Sequence, residues 1–164
     1  MPFLNTIWRL SATERVMTTL NALGVQAEVR EFGESTATAQ EAAEAIGTGV
    51  ERIVKSLVFA SSDGRPLLVL VSGANRVDLS RLAAVVGQPV GRANANQVRQ
   101  ATGFAIGGVP PVGHPSTLPV YVDADLLQYD QVWAAAGTPN SVFAIAPNDL
   151  VRVADGEVVA LKAE

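Results

Sequence analysis

The run from Arg52 to Val71 reads R-I-V-K-S-L-V-F-A-S-S-D-G-R-P-L-L-V-L-V, and it decides the fold class. Two apolar segments rich in β-branched residues flank Asp63 and Gly64, and an Asp-Gly pair in this setting favours the tight turn of a β-hairpin. Apolar runs without regular polar alternation are typical of strands that are buried on both faces. The sequence therefore predicts a hairpin of two buried strands.

Lys55 lies inside the first of these strands. Because side chains alternate along a strand, Lys55 shares a face with Ile53, Leu57 and Phe59, so its ammonium points toward an apolar wall or a pocket lined by it. The chain has only two lysines, and the other is Lys162. Two interpretations follow from this pattern: an edge-strand lysine whose ammonium reaches water, or a residue of a functional site.

Capping residues and apolar periodicity predict further elements around the hairpin. Helices are expected after the caps Ser11, Thr38, Asp78 and Asn94 or Asn96, and a turn of helix is expected after Asp123. Strands are expected at 25–32, 118–123 and 142–145, with a short capped turn at 147–150 and a last hairpin of 151–153 and 158–161. Interleaved strands and helices predict one domain over residues 1–164, a mixed sheet flanked by helices of the α/β or α+β class.

A second distinctive stretch runs from Thr102 to Asp125 and reads T-G-F-A-I-G-G-V-P-P-V-G-H-P-S-T-L-P-V-Y-V-D-A-D. Glycine permits positive φ and close approach of another molecule, whereas proline fixes φ and removes a donor, so their alternation indicates a stiff loop. The pattern fits a tight turn between two strands as well as it fits a loop that holds a ligand.

Composition restricts the class of protein. The chain has 164 residues, of which 48% are hydrophobic and 17% charged, with a mean hydropathy of +0.24. These values fit one soluble globular domain, and no apolar run reaches the ~18–20 residues of a membrane helix. The first nine residues lack the pattern of a secretion signal, so we expect a cytoplasmic protein without a membrane partner.

The net charge and the counts of cysteine and histidine limit the partners, metal sites and nucleophiles that the protein can use. A net charge of −4 and a pI near 5.0 argue against extensive wrapping of nucleic acid and against DNA as a partner, because such binding uses clustered Lys and Arg. The chain has no cysteine and one histidine, His114, which disfavours thiolate or histidine metal sites and a cysteine nucleophile. His114 itself is either a site residue or a solvated loop histidine.

Six separated motifs follow one another along the chain: 53–59, 76–82, 102–104, 107–113, Val122-Asp123 and Ala136-Gly137. Together and in this order, they resemble the YbaK/ProX family of aminoacyl-tRNA deacylases, the freestanding relatives of the editing domain of bacterial prolyl-tRNA synthetases. The resemblance implies a compact α/β domain with a mixed, barrel-like sheet flanked by helices. It also implies hydrolysis of the ester between a wrong small amino acid and the terminal adenosine of a tRNA, commonly tRNA(Pro), without a metal or other cofactor.

The resemblance also implies roles for particular residues. The family's strand lysine, needed for deacylation, falls on Lys55, and its G-x-x-x-P loop, which holds the aminoacyl end, falls on 107–111. Asp123 is expected either to orient Lys55 or water, or to cap the helical turn that follows it. The expected substrate-binding residues are Gly107, Gly108, Val109, Pro110, Pro111, Gly113, His114, Gly137 and Asn140.

Two departures leave the amino acid open. Pro110 stands where the cysteine-specific branch commonly has serine, and the later loop reads Gly137-Thr-Pro-Asn140-Ser where that branch is basic and glycine-rich. The expected partners are the acceptor end of an aminoacyl-tRNA and prolyl-tRNA synthetase. Two alternatives remain from the sequence: a binding module of the same fold without turnover, which recognises an acceptor end or a nucleotide, and a hydrolase of a small acyl ester unrelated to tRNA.

Overall fold

A computed structural model describes residues 10–164. The predicted hairpin lies at its centre, with strand β2 (Val54–Ser61) antiparallel to strand β3 (Pro66–Ser72). Gly64 has φ +86°, a value that suits glycine in the tight turn between the two strands. The prediction of a hairpin is confirmed.

Helices and strands are interleaved along the rest of the chain. The helices are α1 (Ala12–Ala22), α2 (Ala39–Ile46), α3 (Leu79–Val86), α4 (Ala95–Thr102) and α5 (Pro147–Ala154), with 3₁₀ helices at Val50–Arg52 and Ala124–Gln128. The other strands are β1 (Val29–Glu31), β4 (Val90–Arg92), β5 (Val120–Asp123), β6 (Val132–Ala135), β7 (Ser141–Ile145) and β8 (Glu157–Val159). Among the described residues, no helix has the length and apolar character needed to cross a membrane.

The strands form two sheets. A five-stranded mixed sheet has the order β4-β2-β3-β5-β8, in which β5 lies parallel to both β3 and β8. A three-stranded antiparallel sheet has the order β1-β7-β6, and an isolated parallel bridge between Ile53 and Trp133 links the two sheets. The α/β class with a mixed sheet flanked by helices is confirmed, but within residues 10–164 the sheets do not close into a barrel.

The predicted caps determine where the helices begin and end. Thr38 and Asn94 each form a capping box, with Glu41 and Gln97 respectively, and the Asp78 carboxylate accepts hydrogen bonds from two amides of α3. These side chains satisfy backbone donors that have no partner inside the helix. Three of the helices end at a glycine with positive φ, namely α2, α3 and α4.

The central hairpin is buried on both faces, as its apolar sequence predicts. Val58 and Leu68 pack into the main core, which also contains Phe104 and Phe143. The neighbouring residues of the same strands face a second cluster around Phe59 and beneath α3. Burial on both sides fixes the register, because a shift by one residue would exchange the two faces.

The predicted C-terminal hairpin is wrong. Residues 147–154 form helix α5, and β8 pairs in parallel with β5 instead of folding back on 151–153. The alternation of Val151 and Val153 suggested a strand, but Leu150, Val153 and Ala154 form one buried helical face. Asp155 ends the helix with φ 50°.

Two other differences are that β1 covers only three of the residues expected in its strand and that β6 was not predicted as a strand.

Candidate active site

A cleft of about 320 Å³ is lined by residues of both sheets. Strand β2 contributes one wall, and β6 and β7 contribute another. The segment 36–39 at the start of α2, the end of β4 at Arg92, and the loop at 106–109 complete the lining. A pocket of this volume suits a small ligand group.

Lys55 lines this cleft from β2. Its Nζ donates a hydrogen bond to the main-chain carbonyl of Asn75. Burial lowers the pKa of Lys55 from its ordinary value of 10.5, and the nearby Arg76 and Arg92 lower it further, while the Asp123 carboxylate opposes the change. Lys55 therefore lies at a cleft, where its ammonium is partly desolvated.

Asn75 connects this lysine to two carboxylates. It is 6% exposed, and its side-chain Nδ2 donates to Asp123 Oδ2 at 2.9 Å and to Asp125 Oδ2 at 2.8 Å. One residue thus fixes the lysine through its main chain and the acids through its side chain. Sequence reasoning missed Asn75, although a polar residue in the turn after a buried strand was a signal that could have indicated it.

Asp123 performs the capping role that was one of its two predicted roles. The carboxylate is buried and accepts hydrogen bonds from the amides of Ser72 at 3.2 Å and Asp125 at 3.0 Å, as well as from Asn75. It is the N-cap of the 3₁₀ helix that follows β5 and does not line the cleft. Its connection to Lys55 therefore runs through Asn75 and through charge.

The glycine-proline loop reaches the cleft with only part of its length. Gly107 and Val109 line the cleft, whereas Gly108, Pro110 and Pro111 are buried elsewhere. A Cβ on Gly107, where φ is +90°, would lie 2.8 Å from Ala37 Cβ, and a Cβ on Gly108 would lie 2.7 Å from the carbonyl carbon of Thr138. The glycines are therefore required for the loop to pack against two other segments.

His114 and Gly113 lie apart from Lys55. They line a separate open depression beside Thr19 and Pro111 and do not line the cleft. The Nε2 atom of His114 lies 2.8 Å from the carbonyl oxygen of Pro110, and the ring makes an edge contact with Phe104. Burial lowers the pKa of His114, against the opposite effect of the Pro110 carbonyl. In this structure the His114 side chain therefore bonds back to the main chain of its own loop at Pro110.

Gly137 and Asn140 also lie outside the lining of the cleft. Gly137 has φ +103° and packs closely on Ala12, and Asn140 Nδ2 donates to the carbonyl of Phe32 at 2.8 Å. The loop they define instead holds β6 and β7, whose residues Ala135 and Val142 do line the cleft. These two predicted site residues therefore lie outside the cleft, next to strands that line it.

The lining of the cleft has a distinctive composition. Six of its residues are alanines, which leave space that larger side chains would fill. Its charged residues are Lys55 and Arg92, and the described lining contains no Asp or Glu. Nor does the described part of the chain contain a group of three or more His, Cys, Asp or Glu that could hold a metal ion. The cleft therefore favours negative or developing negative charge near β2 and small neutral groups elsewhere. The six alanines, referred to below as the alanine wall, are Ala37, Ala39, Ala42, Ala93, Ala134 and Ala135.

The cleft between the two sheets thus carries a strand lysine and part of a glycine-proline loop. Residues 33–153 match the model of the aminoacyl-tRNA editing domain family, and the chain belongs to this family.

Similar proteins agree with that assignment. The chain is 34% identical over 123 residues to the uncharacterized protein YwhH of Bacillus subtilis (strain 168), covering 75% of this chain and 78% of that protein. It is 26% identical over 127 residues to the "Putative Cys-tRNA(Pro)/Cys-tRNA(Cys) deacylase EbsC" of Enterococcus faecalis (strain ATCC 700802 / V583), covering 77% of each. A solved structure described as "a putative trans-editing enzyme for prolyl tRNA synthetase" is 48% identical, with a TM-score of 0.88 over 94% of this chain and 99% of that one.

Proposed function

We propose that this protein is a trans-editing aminoacyl-tRNA deacylase that hydrolyses the ester of a mischarged small amino acid on tRNA, with tRNA(Pro) as the main candidate. The observation that carries the proposal is the position of Lys55 at a cleft bordered by the Gly107–Pro111 loop. The specific tRNA is suggested by the names of the deacylase and the trans-editing enzyme to which the chain is similar. Such a substrate implies a cytoplasmic location.

Lys55 supplies a positive charge at the place where negative charge develops during the reaction. In ester hydrolysis, water attacks the carbonyl carbon, the carbonyl oxygen becomes negative, and the ester C–O bond then breaks to release the amino acid and the ribose hydroxyl. A preorganised ammonium stabilises that oxygen, or the terminal phosphate beside it, more strongly in a partly desolvated cleft than in water. Arg92, the other cation of the lining, adds to the same field.

The loop and the alanine wall select the aminoacyl group by size. Val109 and Gly107 border the cleft, and the volume of about 320 Å³ admits a small side chain together with the ester. Backbone groups of the loop would orient the attacking water, since a water must be held within hydrogen-bonding distance to react. Asp123 acts as a positioning residue in this proposal, because it binds Asn75 and not the cleft.

The substrate is expected to contact the protein mainly through its acceptor end. The chain is acidic overall, but Lys55, Arg76 and Arg92 lie close enough together for both arginines to affect the lysine pKa. This local group of cations could accept the phosphates next to the terminal adenosine. Prolyl-tRNA synthetase, which charges tRNA(Pro), is the partner that would present this end.

A deacylation panel tests the function. Purified protein would be incubated with tRNA(Pro) charged with alanine, serine, cysteine, threonine or proline, and the remaining aminoacyl-tRNA would be measured over time. We expect hydrolysis of at least one small mischarged amino acid and sparing of proline. Binding of the charged tRNA without hydrolysis of any of them would instead support a binding module of the same fold.

A further inference from the structure

One polar atom in the cleft has no role in the mechanism above. Ser56 follows Lys55 in β2 and lines the same cleft. Its Oγ is buried, and no group in the described part of the chain forms a hydrogen bond with it. A buried hydroxyl without a partner is unfavourable, so this atom is a candidate to bond a group that enters the cleft.

The other side-chain hydroxyls of the lining are already bonded. Thr36 Oγ1 donates to the carbonyl of Pro139 at 3.3 Å. Thr38 Oγ1 accepts from the amide of Glu41 and donates to its carboxylate, both within the capping box of α2. Among the hydroxyls of the described lining, the Ser56 hydroxyl is therefore the one without a hydrogen bond.

The surroundings of Ser56 are apolar. Its neighbours two positions away in β2, Val54 and Val58, belong to the main core, together with the cleft residues Val109 and Ala134. Residues two apart in a strand share a face, so the hydroxyl lies on the side that carries these apolar groups, and Lys55 lines the cleft from the other face of the strand. In such surroundings a hydrogen bond gained or lost by the hydroxyl has more effect than it would in water.

We propose that the Ser56 hydroxyl bonds the side-chain hydroxyl of the aminoacyl group, so that the cleft selects seryl and threonyl esters over alanyl esters. This inference rests on the proposed function. The ester oxygen suits the cations Lys55 and Arg92, and the substrate ammonium, with three donors and a charge, cannot be compensated by one hydroxyl among apolar groups. A substrate hydroxyl matches the Ser56 hydroxyl, because both groups are neutral and each has one hydrogen to donate.

The selection against alanyl esters arises because an alanyl group has no hydroxyl to pair with that of Ser56. A methyl side chain fills the space next to Ser56, excludes water and leaves the hydroxyl unpaired. A site built to bond a substrate hydroxyl rejects the analogue that lacks it, by much more than an apolar pocket rejects a smaller group. A cysteinyl thiol is a weaker donor and acceptor than a hydroxyl, so we expect it to rank between serine and alanine.

The decisive experiment compares esters and variants. kcat/KM would be measured for seryl-, threonyl-, cysteinyl- and alanyl-tRNA(Pro) with the natural protein, Ser56→Ala and the control Ser80→Ala, an exposed serine of α3. We expect the natural protein to prefer serine over alanine by about tenfold or more. Ser56→Ala should remove that preference, mainly by slowing the seryl ester, and Ser80→Ala should keep it.

Stability separates this role from a structural one. Ser56→Ala removes a hydroxyl that has no protein partner, so its free energy of unfolding should equal or exceed that of the natural protein. A protein that becomes no less stable and yet loses seryl selectivity matches the proposal. An equal loss on seryl and alanyl esters would overturn it, because Ser56 would then contact a group common to both, and so would an unchanged preference.

A binding measurement keeps this inference separate from the proposed function. Non-hydrolysable adenosine analogues with a seryl or alanyl group in a 3′ amide would be titrated against the natural protein. Tighter binding of the seryl analogue by about tenfold would support the inference even if no ester is hydrolysed. Equal dissociation constants for the two analogues would overturn it, whether or not the protein is a deacylase.

Discussion

The Nζ atom of Lys55 donates to the main-chain carbonyl of Asn75, and the side chain of the same asparagine binds two carboxylates. The lysine is therefore held at the cleft by Asn75, whose own side chain is fixed by its hydrogen bonds to Asp123 and Asp125. A long lysine side chain loses conformational freedom when it is ordered, and this arrangement provides that order before the substrate binds.

Replacing the lysine should abolish most of the activity without unfolding the protein. We expect Lys55→Ala to lower deacylation at least about 100-fold, because loss of one preorganised electrostatic group typically costs ~2.7 kcal/mol or more in the transition state. Single-turnover rates would measure this, with thermal unfolding as the check on folding. Lys162→Ala, at an exposed position and the other lysine of the chain, is the matched control. A folded Lys55→Ala protein with normal turnover would exclude Lys55 from the site.

Replacing the asparagine should affect both stability and turnover. Asn75→Ala removes the donor shared by Asp123 and Asp125, and an unsatisfied buried group costs about 1–3 kcal/mol. We expect a loss of unfolding free energy in this range, measured in urea, and a lower kcat with a smaller change in KM. Asn96→Ala, an exposed asparagine of α4, should change neither. An Asn75→Ala protein with full kcat would show that the lysine needs no such support.

The pKa of Lys55 should respond to Arg76. Burial, Arg76 and Arg92 all lower this pKa from 10.5, so in the folded protein the lysine loses its proton at a lower pH than in the unfolded chain. Stability should therefore rise with pH between the folded pKa and about 10.5, because the unfolded chain binds more protons there. Activity that needs the ammonium should fall across the same range.

Arg76→Gln should raise the Lys55 pKa and move the alkaline fall in activity to higher pH. NMR titration of the lysine Cε signals would measure this directly, since only two lysines contribute. Arg99→Gln, an exposed arginine of α4 that is not among the causes of the shift, is the control. A Lys55 pKa at or above 10.5 in the natural protein would contradict the prediction.

Gly108 is expected to matter for stability more than for the choice of substrate. A Cβ there would meet backbone atoms of Thr138 at 2.7–3.0 Å, which cannot move away as a flexible side chain can. We expect Gly108→Ala to lower the free energy of unfolding by about 1–3 kcal/mol, the usual effect of overpacking. Gly33→Ala, where a Cβ would meet nothing within 4 Å, should be nearly neutral. A selective loss of activity toward larger aminoacyl groups, without a loss of stability, would instead make Gly108 a part of the pocket.

Salt dependence should show a small contact with the tRNA. With a net charge of −4 and a local group of three cations, we expect roughly two to four neutralised phosphates at about 0.9 per contact in a plot of log affinity against log salt. An acceptor-stem minihelix should then be deacylated nearly as well as the full tRNA. A steep slope, or a minihelix that is not a substrate, would reveal a second surface that binds the body of the tRNA.

The sequence predicted those features that depend on local patterns. Caps such as Thr38 and Asp78, the hairpin and the unusual lysine were all visible in short stretches of sequence. The helical nature of 147–154 was missed because Val151 and Val153 satisfy a strand period as well, and only the packing of Leu150 decides between the two. Distances between loops could not be read at all, since they depend on how distant segments meet. His114 therefore had to be observed in the structure to lie away from the cleft.

The alanine wall also bears on how this protein family could diversify. An alanine codon becomes a valine, serine or threonine codon by one nucleotide change, and each change adds only one or two heavy atoms to a wall position. Some members, such as Ala93 and Ala135, are only half-buried and line the cleft. Duplicated copies of such a gene could therefore exchange one amino acid substrate for another in single mutational steps, with the fold and the lysine unchanged.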